Sequence, residues 1–309
     1  MELLRWLESI RTPIGDFLMS TVTHLGEETF FMVISLIFFW CVDKYRGYFL
    51  LFTGFCGTVC CQFLKILCRI PRPWVLDPDF TIVESARAEA TGYSFPSGHT
   101  QCAVNVYGGI ARSAKRRWEQ ILGIVLVVLV SFSRMYLGVH TPADVFVSLA
   151  IGIALVLLLY PLIEKARKDS RFMYVAIAIA AALAIGNLLF VELAGFPSDV
   201  DADNLAHAVE NAWKLLAAVL GMCLIYPIEQ KWICFETRAV WWAQILKVAG
   251  GLLIVVAVKS LLKTPLNAVF GDSFGGFVRY FLMVMAAGLL WPLSFRFFAK
   301  LKPQTYQKV

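Results

Sequence analysis

Long apolar runs joined by short polar links dominate the chain. Nine stretches carry few charges, at about 17–41, 47–68, 98–113, 119–137, 143–163, 172–194, 213–228, 239–261 and 278–298. A helix rising 1.5 Å per residue needs about 20 apolar residues to cross the hydrocarbon core. The pattern predicts an all-α fold, a polytopic transmembrane helical bundle of about nine spans. The stretches 98–113 and 213–228 are the shortest. Ahead of the first run, apolar residues at positions 3, 4, 7 and 10 alternate with Glu2, Arg5, Glu8 and Arg11. That spacing predicts a short amphipathic helix on the membrane surface. No basic segment and small-residue cleavage pattern precedes the first run, so it reads as a span and not as a cleaved signal.

Composition agrees, since hydrophobic residues make up 59% of 309 and charged ones 16%. A soluble domain is about a quarter charged. The net charge of +6 raises the question of nucleic acid, and its distribution answers it. Basic residues gather in alternate links: Lys44 and Arg46; Arg112, Lys115, Arg116 and Arg117; Lys165, Arg167, Lys168 and Arg171; Lys231 and Arg238; Lys300, Lys302 and Lys308. The other links hold the acidic run Asp199, Asp201, Asp203 and Glu210. This is a topology signal and not a nucleic-acid surface. It puts the basic links and carboxyl terminus in the cytoplasm and the amino terminus outside, with a bacterial cell membrane favoured over a eukaryotic endomembrane. The eight cysteines show no metal-ligand spacing and read as small apolar residues without disulfides.

The longest link, about 69–96, is rich in Pro, Asp and Glu, and long links between helices are often functional. A second, about 195–212, is acidic and reads as a lid or as a plain solvated connection.

Three stretches carry candidate chemistry, each on the outer face of the predicted topology. Lys65 and Arg72 stand seven residues apart, with Pro71 and Pro73 beside Arg72. The prolines predict a helix end, and both cations then reach one anion or else snorkel to lipid headgroups. Pro96-Ser97-Gly98-His99 precedes an apolar run. Gly98 permits close backbone approach, free amides at the helix start attract an anion, and Ser97 either caps the helix or bonds a phosphate oxygen. In Ser133-Arg134, His140 and Asp144, Thr141 resembles an N-cap and Pro142 fits the first helical position. Asp144 is then placed to turn back toward His140, fixing its tautomer and freeing the other nitrogen to attack. The alternative is capping by Asp144 beside a bystander His140. Charges are costly in a membrane chain, so the collection marks a site.

Together these stretches resemble the signature of the type 2 phosphatidic acid phosphatase superfamily, which includes vanadium haloperoxidases, bacterial acid phosphatases and glucose-6-phosphatases. The matching positions are Lys65, Arg72, Pro73, Pro96, Ser97, Gly98, His99, Ser133, Arg134, His140 and Asp144. The resemblance covers roughly residues 15–195. It implies a six-helix phosphatase core, so that 1–195 holds the amphipathic amino terminus and core, and 196–309 an outer loop and about three additional helices of one membrane domain. It also implies His140 as nucleophile, Asp144 as its orienting partner and His99 as proton donor to the leaving group. Lys65, Arg72, Ser97, Gly98 and Arg134 would hold the phosphate, with no metal and no cofactor. The expected activity is metal-independent hydrolysis of a lipid phosphate or diphosphate through a phosphohistidine, on the extracytoplasmic side.

Two rival readings stay open. One is hydrolysis of a soluble phosphomonoester such as a sugar phosphate, since Arg72-Pro73-Trp74-Val75-Leu76-Asp77 is similar to the glucose-6-phosphatase branch. The other is a transporter or flippase whose path is lined by basic residues, among them Lys214, Lys247, Lys259, Lys263 and Arg279. Lys259 and Lys263, one turn apart, either hold a second phosphate or headgroup or snorkel. His24, Glu27 and Glu28 share a helical face and either line the entrance or form a structural ion pair. Membrane lipids and a phosphate ester are the expected partners, and oligomeric state is left open.

Overall fold

The computed structural model describes residues 1–198 and 200–301. Among them all regular structure is helical: α1 Glu2–Ser9, α2 Pro13–Thr23, α3 Glu28–Ile37, α4 Lys44–Cys68, α5 Pro73–Leu76, α6 Gly98–Ala103, α7 Gly109–Ser113, α8 Arg117–Tyr136, α9 Pro142–Ala166, α10 Arg171–Leu193, α11 Ala202–Ile228, α12 Trp241–Leu261 and α13 Lys263–Met285, with short turns of 3₁₀ and π type between some of them. Asp199, Lys302 and Lys308, part of the predicted charge pattern, lie outside the described residues.

Seven helical stretches are long and apolar enough to cross a membrane, and the bent pair Pro13–Gly26 and Glu28–Val42, which meets at 52°, makes an eighth. The remaining predicted span, 98–113, is a continuous helix through α6, a π turn at Val104–Gly108 and α7. At 1.5 Å per residue it rises about 24 Å, short of a hydrocarbon core of about 30 Å. Large side chains such as Ile121, Ile124, Val128, Phe146, Ile153 and Leu158 are exposed on α8 and α9, as lipid-facing positions require.

The described chain groups into two compact units. The first comprises Met1–Ile34, Phe49–Lys165 and Gly195–Leu205. Inside it, Leu4 and Leu7 of α1 are buried with Phe80, Ile82, Tyr136, Leu137 and Val139. The Arg5 guanidinium bonds the Asp77 carboxylate at 2.6 Å, and Glu8 accepts the Thr81 amide at 2.8 Å. The amphipathic helix therefore docks on the 69–96 link through Leu4, Leu7, Arg5 and Glu8, and its exposed face is Leu3, Trp6 and Ile10. The expected single apolar face is divided between protein and lipid. A second cluster joins Phe31, Cys102, Ala103, Val106, Tyr107 and Val130. A side chain at Gly123 would meet the Tyr107 carbonyl at 2.5 Å, so glycine there lets two helices approach closely.

The second unit comprises Ser35–Tyr48, Ala166–Ala194 and the chain from Ala206 on. Lys44 pairs at 2.5 Å with Glu229, which is fully buried. Lys247, a candidate path cation, is also fully buried. Its ammonium donates to the carbonyls of Trp40 at 2.7 Å and Thr237 at 3.0 Å. Lys214 pairs with Glu210 at 2.7 Å, while Lys259 and Lys263 are exposed. The acidic link is shorter than expected. Asp201 accepts the Asn204 amide at 2.7 Å and starts α11 at Ala202, so Asp203 and Glu210 are helical. All eight cysteines are free.

Candidate active site

Three local motifs present the candidate side chains, and all of them belong to the first unit. The first is the end of α8. Gly138, at φ +80°, donates to the Met135 carbonyl, and Val139 donates to the Arg134 carbonyl at 3.2 Å. That pair of bonds is a Schellman turn, which favours glycine at its left-handed position. It leaves Arg134 on the last turn and sends the chain back toward the helix as His140. The second motif is the start of α9. The Thr141 hydroxyl accepts the Asp144 amide at 3.3 Å, and the Asp144 carboxylate accepts the Thr141 amide at 2.8 Å. This reciprocal box caps α9 and turns the carboxylate to His140. The third is the start of α6, where the Ser97 hydroxyl accepts the Thr100 amide at 3.4 Å. Ser148 of α9 ties the two starts together, donating to the carbonyls of Ser97 at 2.9 Å and Asp144 at 3.0 Å.

The 69–96 link closes on itself where Ser94 donates to the Ile70 carbonyl at 2.8 Å. Helix α4 ends before Pro71, at Cys68, with Arg69 at φ +50°. Arg72 then folds under the link. Its guanidinium donates to the carbonyls of Thr91 at 2.7 Å, Gly92 at 3.0 Å and Val139 at 2.9 Å. Lys65 donates to the Tyr93 carbonyl at 2.6 Å. Both cations are thus held by backbone oxygens of the link and the turn before His140.

A cavity of about 410 Å³ lies among these elements, lined in part by Gly26, Glu27, Glu28, Lys65, Arg72, Glu89, Gly98, His99, Arg134 and His140. A side chain built on Gly98 would meet nothing within 4 Å, so the backbone there is open to a ligand. His140 Nε2 lies 3.0 Å from Arg72 Nη1. Guanidinium only donates, so Nε2 is the acceptor and the ring proton belongs on Nδ1. Nδ1 in turn lies 3.3 Å from the Asp144 carboxylate. That oxygen also accepts the Ser94 hydroxyl at 2.5 Å. One carboxylate therefore both caps α9 and orients His140. The imidazole of His140 is held well below its ordinary pKa, first by burial and then by Arg72, Arg134, Lys65 and His99. It is a neutral base whose lone pair accepts from Arg72. Arg134 is fully buried, donates to the Thr23 hydroxyl at 2.5 Å, and has no partner at Nε or Nη2. An unpaired buried guanidinium is costly, and a bound oxyanion removes that cost.

His99, Glu27 and Glu28 border this cavity with the cations. Ser97 does not line it, being fully buried as the helix cap. Lys259 and Lys263 are exposed in the other unit. Sequence reasoning missed Glu89, Ser94 and the carbonyls of Thr91, Gly92 and Tyr93. All sit in an irregular link whose return path no local spacing encodes. Among the described residues, the grouping with metal-ligand spacing is His24, Glu27 and Glu89, whose ligand atoms lie within 4.8 Å of one another. His24 Nδ1 and Glu27 already bond to each other there.

The profile of the PAP2 superfamily matches residues 46–168, and that of the PAP2 superfamily phosphatase transmembrane extension matches 213–304. Phosphatidylglycerophosphatase B of Bacillus subtilis is 30% identical over 174 residues, covering 52% of this chain and 80% of that protein. The chain belongs to the PAP2 superfamily. Two further PAP2 relatives are more distant. An undecaprenyl-diphosphatase of Bacillus subtilis is 28% identical over 148 residues, 47% of this chain and 73% of its own. Sphingosine-1-phosphate phosphatase 1 of Rattus norvegicus is 27% identical over 148 residues, 46% of this chain and 34% of its own. No solved structure matches this PAP2 chain with significance. The PAP2 match at 46–168 contains every residue of the cavity from Lys65 to His140.

Proposed function

We propose that this multi-pass membrane protein hydrolyses a lipid phosphate or diphosphate on the extracytoplasmic side through a phosphohistidine at His140, without a metal. The observation that carries the reading is the neutral Nε2 of His140 facing the same cavity as the unpartnered guanidinium of Arg134. A phosphate entering there meets a nucleophile and an unsatisfied cation together.

In the proposed first step, Lys65, Arg72 and Arg134 neutralise the phosphate oxygens, and Arg72 exchanges its bond to Nε2 for one to the substrate. Nε2 then attacks phosphorus while Asp144 stabilises the ring as it becomes positive. His99 Nε2 protonates the leaving oxygen. Water deprotonated by His99 releases inorganic phosphate and restores His140. The amides about Gly98 contact the phosphate, and Ser97 acts through the helix start it caps. The lipid substrate class is supported by the names of all three relatives. The sidedness rests on the basic links at 112–117 and 165–171. The division into a core at 1–195 and an extension at 196–309 belongs to the same proposal, supported by the two separate profile matches.

Phosphate release by the purified protein tests this, with phosphatidic acid, phosphatidylglycerol phosphate, a sphingoid phosphate, a polyprenyl diphosphate and glucose 6-phosphate as substrates. A lipid substrate should be preferred, and His140→Ala should lose at least about a thousandfold in kcat. Preference for glucose 6-phosphate would replace the lipid reading, and full activity in His140→Ala would remove the mechanism.

A further inference from the structure

One carboxylate in the cavity touches two histidines. Glu89 Oε2 lies 3.4 Å from His99 Nε2, and Glu89 Oε1 lies 3.4 Å from His24 Nδ1. His99 Nε2 and Glu89 Oε2 are each buried without a hydrogen-bond partner, so a small rotation joins them. Of the other carboxylates, Asp144 is committed to His140, Ser94 and Thr141, and Glu27 to His24, while Glu28 also lines the cavity. His99 shares its cavity with Lys65, Arg72 and Arg134. Burial first, and then Arg134, Arg72, His24 and Lys65, disfavour a positive charge on the His99 ring, yet a general acid must hold its proton until the leaving oxygen departs. A carboxylate beside the ring offsets them.

We propose that Glu89 is a positioning residue that keeps His99 Nε2 aimed at the leaving oxygen and favours its protonated form. The assignment rests on the phosphohistidine reading. In that reaction the bond from His140 Nε2 to phosphorus forms as the P–O bond breaks. The electron pair goes to the leaving oxygen, which takes the proton of His99. In the second half, the oxygen of water bonds phosphorus and its proton goes to His99. The P–N pair returns to His140. Glu89 exchanges no proton in this balance and acts only through its charge and hydrogen bond.

The discriminating property is the leaving group. An aliphatic alcohol needs the proton, whereas p-nitrophenolate leaves without it. Glu89→Gln should lose on the order of a hundredfold in kcat on phosphatidic acid and far less on p-nitrophenyl phosphate. Its alkaline pH–rate limb on the lipid should move to lower pH, because His99 then gives up its proton more easily. Glu89→Gln should melt near the wild-type temperature. Equal losses on both substrates with an unmoved pH limb would reduce Glu89 to a structural residue and overturn the assignment. No loss on either would overturn it too. Wild-type protein inactive on both, or an active His140→Ala, would instead bring down the phosphatase reading on which it stands.

Discussion

Arg134 is a charge placed at a structural cost. It is fully buried, and two of its three nitrogens find nothing to bind. Replacing an uncompensated buried charge by a neutral side chain of similar length stabilises a fold more often than it harms it. Arg134→Gln should therefore melt at or above the wild-type temperature while losing about a hundredfold or more in kcat/KM, and vanadate inhibition should weaken in parallel because its five-coordinate form needs the same cation. A variant that loses stability and activity together would make Arg134 a structural residue. Burial also sets a pH dependence through His140. Its folded pKa lies below the ordinary value of about 6.5, so as pH falls through that value the unfolded chain takes the proton first. The stability contributed by neutral His140 is complete above about pH 6.5 and is lost as pH falls toward the folded value. Melting temperatures at pH 7.5 and 5.5 should show a fall in the wild type that is smaller in His140→Gln. Much of this site was legible in the sequence because Thr141 and Pro142 mark the helix start that carries Asp144 back toward His140, whereas the left-handed turn at Gly138 emerged only in the structure. Glu89 and Ser94 were not legible, because they reach the site through a link whose path is set by bonds to Ile70, Lys65 and Arg72.

At the scale of elements, the turn between α8 and α9 decides where the nucleophile points. A side chain on Gly138 would meet Phe80 Cε1 at 2.9 Å and Arg11 Nη2 at 2.6 Å, at a backbone φ of +80°. Arg11 is flexible and can move, but Phe80 is packed under α1. Gly138→Ala should cost about 1–3 kcal/mol from strain and crowding. Because Val139 and His140 follow directly, kcat should fall more than KM rises. Thermal melting and steady-state kinetics check both parts, and unchanged kcat would mean the turn does not govern His140. Apolar runs announced the helices well where a run and a helix coincide, as in α9 and α10. They failed at α11, whose first turns are polar and are started by Asp201. The run 98–113 coincides with a continuous helix as well, but Gln101 and Asn105 on it are buried in protein, so it has no need to match the bilayer thickness.

At the scale of the whole molecule, the proposed substrate pool depends on which side of the membrane the cavity opens. The charge pattern is the argument for the outside. Arg112 in the last turn of α7, Lys115 and Arg116 in the link and Arg117 at the start of α8 form one basic cluster, which the proposed topology places in the cytoplasm. Helix α4 then ends outside, since Lys65 on its last turn lines the cavity. Cys68, exposed at that end, is a natural reporter of the cavity side, and Lys115, exposed in the basic link, gives its opposite. With the other cysteines replaced, a membrane-impermeant maleimide added to intact cells should label Cys68. In a background lacking Cys68, Lys115→Cys should be labelled only after permeabilisation. The reverse pattern would put the cavity in the cytoplasm. The His140 chemistry would survive that result, because it depends on the local turns of one unit. The substrate pool would change to lipids of the inner leaflet, so the labelling pattern decides the physiological substrate while leaving the phosphate chemistry intact.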